Sequence, residues 1–240
     1  MATRKKAAEE DKQIVINIKQ ADRVVVDLTL VGDTSLICHN WSEKAKIIMR
    51  QNQQAKEPNK SKNKPKEPRR PILEFAESLY WIPEKPALNT MTDDEILDAV
   101  ANGKFGFPVC GIKKAAIEGA YQMGFIKKQT TARGCIYMTG IDHDEYATIE
   151  GVCVSREDLV RVANGSADLR YRAEFKAAPK TPQWKMVVRC EILFGIIQPE
   201  ELANMIYVGG VTNGIGDWRQ AKDGIHGRFH VETRTPVQIG

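Results

Sequence analysis

The chain has 240 residues, with 35 Lys+Arg against 31 Asp+Glu for a net charge of +4, and is 42% hydrophobic and 28% charged. That balance excludes collagen-like and wholly disordered chains and fits a soluble globular protein of one or two domains. No run approaches the roughly 18 apolar residues of a membrane span, and the opening MATRKKAAEEDK is charged where a secretory signal would be apolar, so a cytoplasmic protein with no membrane partner is expected. The five cysteines (Cys38, Cys110, Cys135, Cys153, Cys190) are scattered and never spaced C-x-x-C. They read as reduced core thiols, not as a disulfide framework or zinc ribbon.

In chain order, residues 22–31 put Val24, Val26, Leu28 and Leu30 on one face and Asp27 and Thr29 on the other, the period of a half-buried strand. Residues 44–70 then hold ten basic and two acidic side chains, so this window carries +8 and the remainder of the chain −4. Its stretch QNQQAKEPNKSKNKPKEPRRP has four prolines and one apolar side chain, Ala55, too little to bury a core. It is expected to be a flexible basic loop inserted into one domain, either a solvated linker or an arm that finds phosphates by counterion release.

Thr92 and Glu95 form a capping box that opens a helix closed by Gly103. GIKKAAIEGAYQMG, from Gly111, predicts a second helix with Ile112, Ala115, Ala116, Gly119, Ala120 and Met123 on one stripe and a stop at Gly124. Lys113 and Lys114 fall in its first turn, where cations are unfavourable beside the positive end of the dipole unless an anion offsets them. Strand signals follow at CIYM and ATIEGVCV, then a small helix from Ser155 to Gly165. In 184–194, Trp184, Met186, Val188, Cys190, Ile192 and Phe194 are expected to point inward. Pro199 opens a helix that ends at Gly209 and Gly210. Ile225, Gly227, Phe229 and Val231 alternate with His226, Arg228 and His230, predicting a last strand with a basic face.

With insertions removed, the order is strand, helix, strand, strand, helix, strand. The expected fold is therefore α+β, a ferredoxin-like βαββαβ core with an antiparallel sheet, helices on one side and a free basic face. One domain spans 1–240, interrupted by the 44–70 loop and by a helical and strand insertion at 90–165 lying partly outside the core.

The segment 208–231 carries the strongest signal. Gly209, Gly210, Gly214, Gly216, Gly224 and Gly227 are interleaved with Trp218, Arg219, Lys222 and Arg228. Exposed amides, a stacking aromatic and phosphate-pairing cations suit a single strand of nucleic acid. A Gly-rich connection with Trp218 as a plug is the structural alternative. Neither a dinucleotide fingerprint nor a Walker loop is present, so no nucleotide cofactor is expected. GKFGFPV at 103–109 imitates the aromatic motif of RNA-recognition domains, but Pro108 argues against a central strand, and the segment reads as a loop leading into a helix.

A Gly-rich loop between the last helix and last strand, ending in Gly224, Gly227, Phe229 and Val231, resembles the RAMP superfamily of CRISPR RNA-binding proteins, especially the backbone subunits that polymerise along a guide RNA. Phe107-Pro108-Val109-Cys110-Gly111-Ile112-Lys113 is similar to the I-P-G-S-S-L-K start of those subunits' first helix, with Val109-Cys110-Gly111 in place of P-G-S-S. VGDTSLICHNW is similar to their first strand and the following loop. TSLICHNWSEKAK also looks like small bacteriophage proteins, which would place the chain in a host cytoplasm. The resemblance implies a phosphate contact at Lys113, a nucleic-acid surface that includes His39, Trp41, Lys44 and Lys46, and a homo-oligomer or filament along RNA or single-stranded DNA.

Catalysis is weakly signposted. The target-cleaving aspartate of some such subunits is not inherited, because no Asp lies between Thr34 and Thr92. RAMP processing nucleases use a histidine base near the start of the fold, and His39 lies in that neighbourhood. Asp142-His143-Asp144 reads as a charged turn, since three adjacent residues converge poorly on a metal. The expectation is a non-enzymatic binder without cofactor or metal; the alternatives are an endoribonuclease with His39 as base and a phage structural or partner-binding protein.

Overall fold

The computed structural model describes residues 21–54, 68–161, 167–176 and 183–232. Its strands are β1 (Arg23–Gly32), β2 (Leu36–Cys38), β3 (Tyr80–Ile82), β4 (Lys104–Pro108), β5 (Ile136–Gly140), β6 (Tyr146–Thr148), β7 (Cys153–Arg161), β8 (Ala167–Phe175), β9 (Lys185–Leu193) and β10 (Phe229–Val231). The helices are α1 (Glu43–Gln54), α2 (Pro71–Glu77), α3 (Asp93–Asn102), α4 (Val109–Gln122), α5 (Gln129–Cys135) and α6 (Pro199–Thr212). The fold is mixed α+β, and every strand pairing within its sheets is antiparallel.

Alternation builds the main sheet. Val26, Leu28 and Leu30 of β1 and Met186, Val188, Cys190 and Ile192 of β9 are buried in phase, and the two strands pair from Arg23↔Leu193 to Val31↔Lys185. β5 and β10 complete the order β10-β1-β9-β5. The buried face shares one core with α4 and α6, through Ile112, Ala116, Leu202 and Ile206. Fully burying such a side chain stabilises the fold by about 1.5–3 kcal/mol. The two helices cross closely: a Cβ on Gly119 would lie 2.7 Å from Gly209 Cα. Two smaller sheets, β2-β8-β7 and β3-β4-β6, flank this unit. No described helix is long and apolar enough to cross a membrane.

Local signals hold where they are strong. Thr92 Oγ1 accepts from the Glu95 N–H at 3.3 Å and Glu95 Oε2 accepts from the Thr92 N–H at 2.7 Å, which is the reciprocal cap of α3. α4 begins two residues before Gly111 and gives way to Gly124 at φ +77°.

Several expectations are corrected. The helix expected at 155–165 is strand β7 as far as Arg161, and the ladder from Cys153↔Phe175 to Arg161↔Ala167 overrides the local cap signal at Ser155. Part of the window expected to be a flexible loop, 44–54, is helical as α1, while the lysine-rich 55–67 lies outside the described residues. GKFGFPV is not a loop: Lys104–Pro108 is the middle strand of β3-β4-β6, with Pro108 tolerated as its last residue. Phe105 and Phe107 are buried, so they offer no stacking surface. Gly209 and Gly210 sit inside α6 and do not end it, their missing side chains admitting Ala115 and Phe229. Met123 and Phe194 are exposed, since they lie just past the ends of α4 and β9, and Ile225 is exposed whereas His226 is buried, because β10 begins only at Phe229. Cys110 is exposed and Cys153 half-buried; the other three thiols are buried.

Candidate nucleic-acid interface

The connection from α6 to β10 is tied to the rest of the molecule by its own backbone. Ile215 N–H donates to Gly227 O at 2.9 Å, Gly227 N–H to Ser35 O at 2.8 Å and Asp217 N–H to Ile37 O at 3.0 Å. These close passes demand glycine. Gly227 has φ +71° and a Cβ there would lie 1.7 Å from Ile215 O; at Gly216, φ +79°, it would lie 2.6 Å from Ile37 O. Gly214 shares the left-handed conformation at φ +65°, while Gly224 is pressed against the Trp218 carbonyl. Gly214, Gly224 and Gly227 therefore let the loop fold back on itself, and Gly216 lets it approach β2. Trp218 itself has φ +52°, costly for a bulky residue, and is 39% exposed, so it is not a buried plug.

Between this loop and α4 runs a groove made of two adjoining hollows. One, of about 340 Å³, is lined by His39, Tyr80, Phe107, Cys110, Lys114, Glu118, the backbone of Gly214–Gly216, Asp217 and Arg219. The second, of about 450 Å³, is lined by Lys114, Glu118, Tyr121, Gln122, Gln129, Arg219 and Lys222. Lys114, Glu118 and Arg219 belong to both, which makes the groove continuous. The first turn of α4 opens on it without a side-chain cap.

Adjacent lysines have different fates. Lys113 Nζ donates to Arg133 O at 2.9 Å and to Ile136 O, pinning the end of α5 and the start of β5 to α4. Burial holds its ammonium below the usual lysine range. Lys114, one residue and about 100° further round the helix, faces the groove and lies 3.7 Å from Glu118. Arg219 donates to Gly216 O at 3.1 Å, and among the described residues neither it nor Lys222 has a carboxylate partner.

The remaining expected residues are dispersed. Trp41 is exposed and stacks on His39 with centroids 6.4 Å apart. Lys46 is held by Glu43 at 2.8 Å, which also takes Lys85. Lys44 lies in α1, and its side chain is outside the described part. Arg228 does not line the groove; its N–H donates to Thr34 Oγ1 at 3.0 Å and its buried Nε has no partner. The free face of the main sheet is not the basic surface expected. Arg189 is bidentate on Asp27 at 2.8 and 2.7 Å, and Arg23 pairs with Glu191 at 2.9 Å. On the edge strand, His230 pairs with Asp33 at 2.6 Å.

His39 has company that its sequence neighbourhood did not disclose. Asp217 Oδ2 lies 3.2 Å from His39 Nδ1 and 2.7 Å from Nη1 of the buried Arg172, whose Nε has no partner. The His39 hydrogen bond holds the Asp217 carboxyl below its ordinary range against the cost of burial, and Arg172 adds to the effect. Tyr80 donates its hydroxyl to His39 O at 3.2 Å, and burial raises its phenol. Sequence reading missed Asp217, Arg172 and Tyr121: the first two become partners only through long-range pairing, and Tyr121 sits in a helix scored for its buried stripe. At 142–144, His143 Nδ1 accepts from the Glu145 N–H at 3.1 Å within the β5–β6 turn, and no metal-ligating cluster occurs among the described residues. No family model matches the chain, and no curated protein matches it in sequence.

Proposed function

We propose that this protein binds single-stranded nucleic acid, RNA or DNA, in the groove between α4 and the glycine loop, without itself being an enzyme. One observation carries the reading: Lys114, Arg219 and Lys222 line one continuous groove whose carboxylates are Glu118, 3.7 Å from Lys114, and Asp217, which is engaged by Arg172 and His39. Phosphates passing there would meet three cations, loop backbone and an uncapped helix start, while bases could stack on Trp41 or Trp218. The sheet order β10-β1-β9-β5 with α4 and α6 on one face supports a ferredoxin-like core running β1, α4, β5, β9, α6, β10. It is the core that the RAMP resemblance implies. Head-to-tail oligomerisation along the ligand belongs to the same proposal.

The test is fluorescence anisotropy with labelled oligouridylate and oligothymidylate across a salt series. Three phosphate contacts give a slope of about −2 in log K against log salt, at about 0.7 per phosphate. Lys114→Ala and Arg219→Ala should each weaken binding and flatten that slope, with the melting temperature nearly unchanged. Absence of salt-sensitive binding would instead favour a structural or partner-binding viral protein.

A second reading is a metal-independent endoribonuclease. Asp217 on His39 Nδ1 supports it, because it orients the imidazole within the groove so that Nε2 could act as base. RNA cleavage in chelator, abolished by His39→Ala with binding retained, would establish it.

A further inference from the structure

The groove extends along α4 to a tyrosine that no sequence motif marked. Its far hollow ends at Tyr121, near the C-terminal end of α4, with the side chains of Gln122 and Lys222 beside it. Tyr121 is 49% exposed, and its hydroxyl has no hydrogen bond among the described residues. The buried residues of the same helix, Ile112, Ala116, Gly119 and Ala120, do not include it. Core packing therefore does not account for this aromatic ring.

We propose that Tyr121 is a second base-stacking position, so that a strand crosses the Lys114–Arg219 cations with one base near the His39–Trp41 pair and another on Tyr121; this rests on the single-strand reading above. α4 sets the spacing. From Gly111, in the first hollow, to Tyr121, in the second, the helix rises ten residues, about 15 Å at 1.5 Å each. A stacked strand advances about 3.4 Å per nucleotide, so about four nucleotides span the two ends. Lys114 and Arg219 line both hollows, with His39 in the first and Tyr121 and Lys222 in the second, which places the shared cations between the imidazole and the phenol ring. The Gln122 amide next to Tyr121 can offer both donor and acceptor to a base edge. An aromatic face accepts any base, so the ligand class is a single strand with little sequence preference at this position.

The experiment compares a dinucleotide, a tetranucleotide and an octanucleotide in anisotropy titrations of wild type, Tyr121→Ala, Tyr121→Phe and Lys114→Ala. Tyr121→Ala should weaken octanucleotide binding about 5- to 150-fold, nearly abolish the gain from dinucleotide to tetranucleotide, and leave dinucleotide binding nearly unchanged; Tyr121→Phe should behave as wild type. If alanine unsettles the helix, as a melting curve would show, Tyr121→Leu keeps the volume without the aromatic face and must show the same length-dependent loss. Unchanged octanucleotide affinity in Tyr121→Ala while Lys114→Ala binds weakly would overturn the second stacking position and leave the groove standing. Should neither substitution affect binding, the reading of the groove itself fails. A change in sedimentation without a change in affinity would assign Tyr121 to a contact between copies and likewise overturn the proposal.

Discussion

The free face of the main sheet and the groove beside the glycine loop both present arginine or lysine, but their charges are engaged differently. On the sheet, cross-strand register sets Asp27 opposite Arg189, and the guanidinium is closed in a bidentate pair; Arg23 reaches Glu191 in the same way. Along the groove, Arg219 and Lys222 come from the connection between α6 and β10, where no carboxylate pairs with them among the described residues, and the ion pair of Lys114 there is the 3.7 Å approach to Glu118. The lesson is that basic composition does not locate an anion site. Pairing decides which cations remain to be neutralised by a phosphate.

The comparison can be broken most forcefully at its scaffold. Gly227→Ala places a Cβ 1.7 Å from Ile215 O in a left-handed conformation, and a loss of about 3–5 kcal/mol is expected in urea unfolding. Normal stability with lost binding would mean that the loop is independent of the core, contrary to the backbone bonds that tie it to Ser35 and Ile37.

The paired lysines offer a sharper cut. Lys113→Met should cost about 1–3 kcal/mol of stability by stranding two backbone carbonyls, with affinity for oligonucleotide retained. Lys114→Ala should do the reverse. Equal effects of the two on binding would restore the role that the family resemblance assigned to Lys113.

On the sheet face, Arg189→Ala should leave binding unchanged and the melting temperature nearly so, because an exposed ion pair is screened by solvent. A loss of affinity comparable to that of Arg219→Ala would put the ligand on the sheet after all.

The smallest expected effect is a pH dependence at the loop. Burial, with Arg156 nearby, holds the His226 imidazole below its ordinary 6.5. The folded state thus resists a proton that the unfolded chain accepts, so the contribution is full above 6.5 and declines as pH falls below it toward the folded value. Asp217, also depressed, contributes in full above 3.8 and loses its part only below that. His226→Gln should flatten the upper decline in melting temperature and spare the lower one, and Asp217→Asn the opposite. A melting curve unchanged by His226→Gln between pH 6.5 and the acid limb would remove the imidazole from this account.

What the sequence determined by itself is the set of elements whose cause is local. Alternation sufficed for β1 and β9, a reciprocal cap for the start of α3, and the small-residue stripe and Pro199 for α4 and α6, because each signal lies within a few consecutive residues. Tertiary structure decided the rest. Ser155 looks like a helix cap until β8 pairs with β7, and Gly209 looks like a helix stop until Gly119 of α4 comes against it. Lys113 and Lys114 are chemically identical neighbours, and a turn of about 100° sends one to backbone carbonyls and the other to the groove. His39, Arg172 and Asp217 meet only when β2, β8 and the glycine loop converge. Charge and hydrogen-bond satisfaction depend on what lies across a few ångströms of space, and in this chain that neighbour is seldom close in sequence.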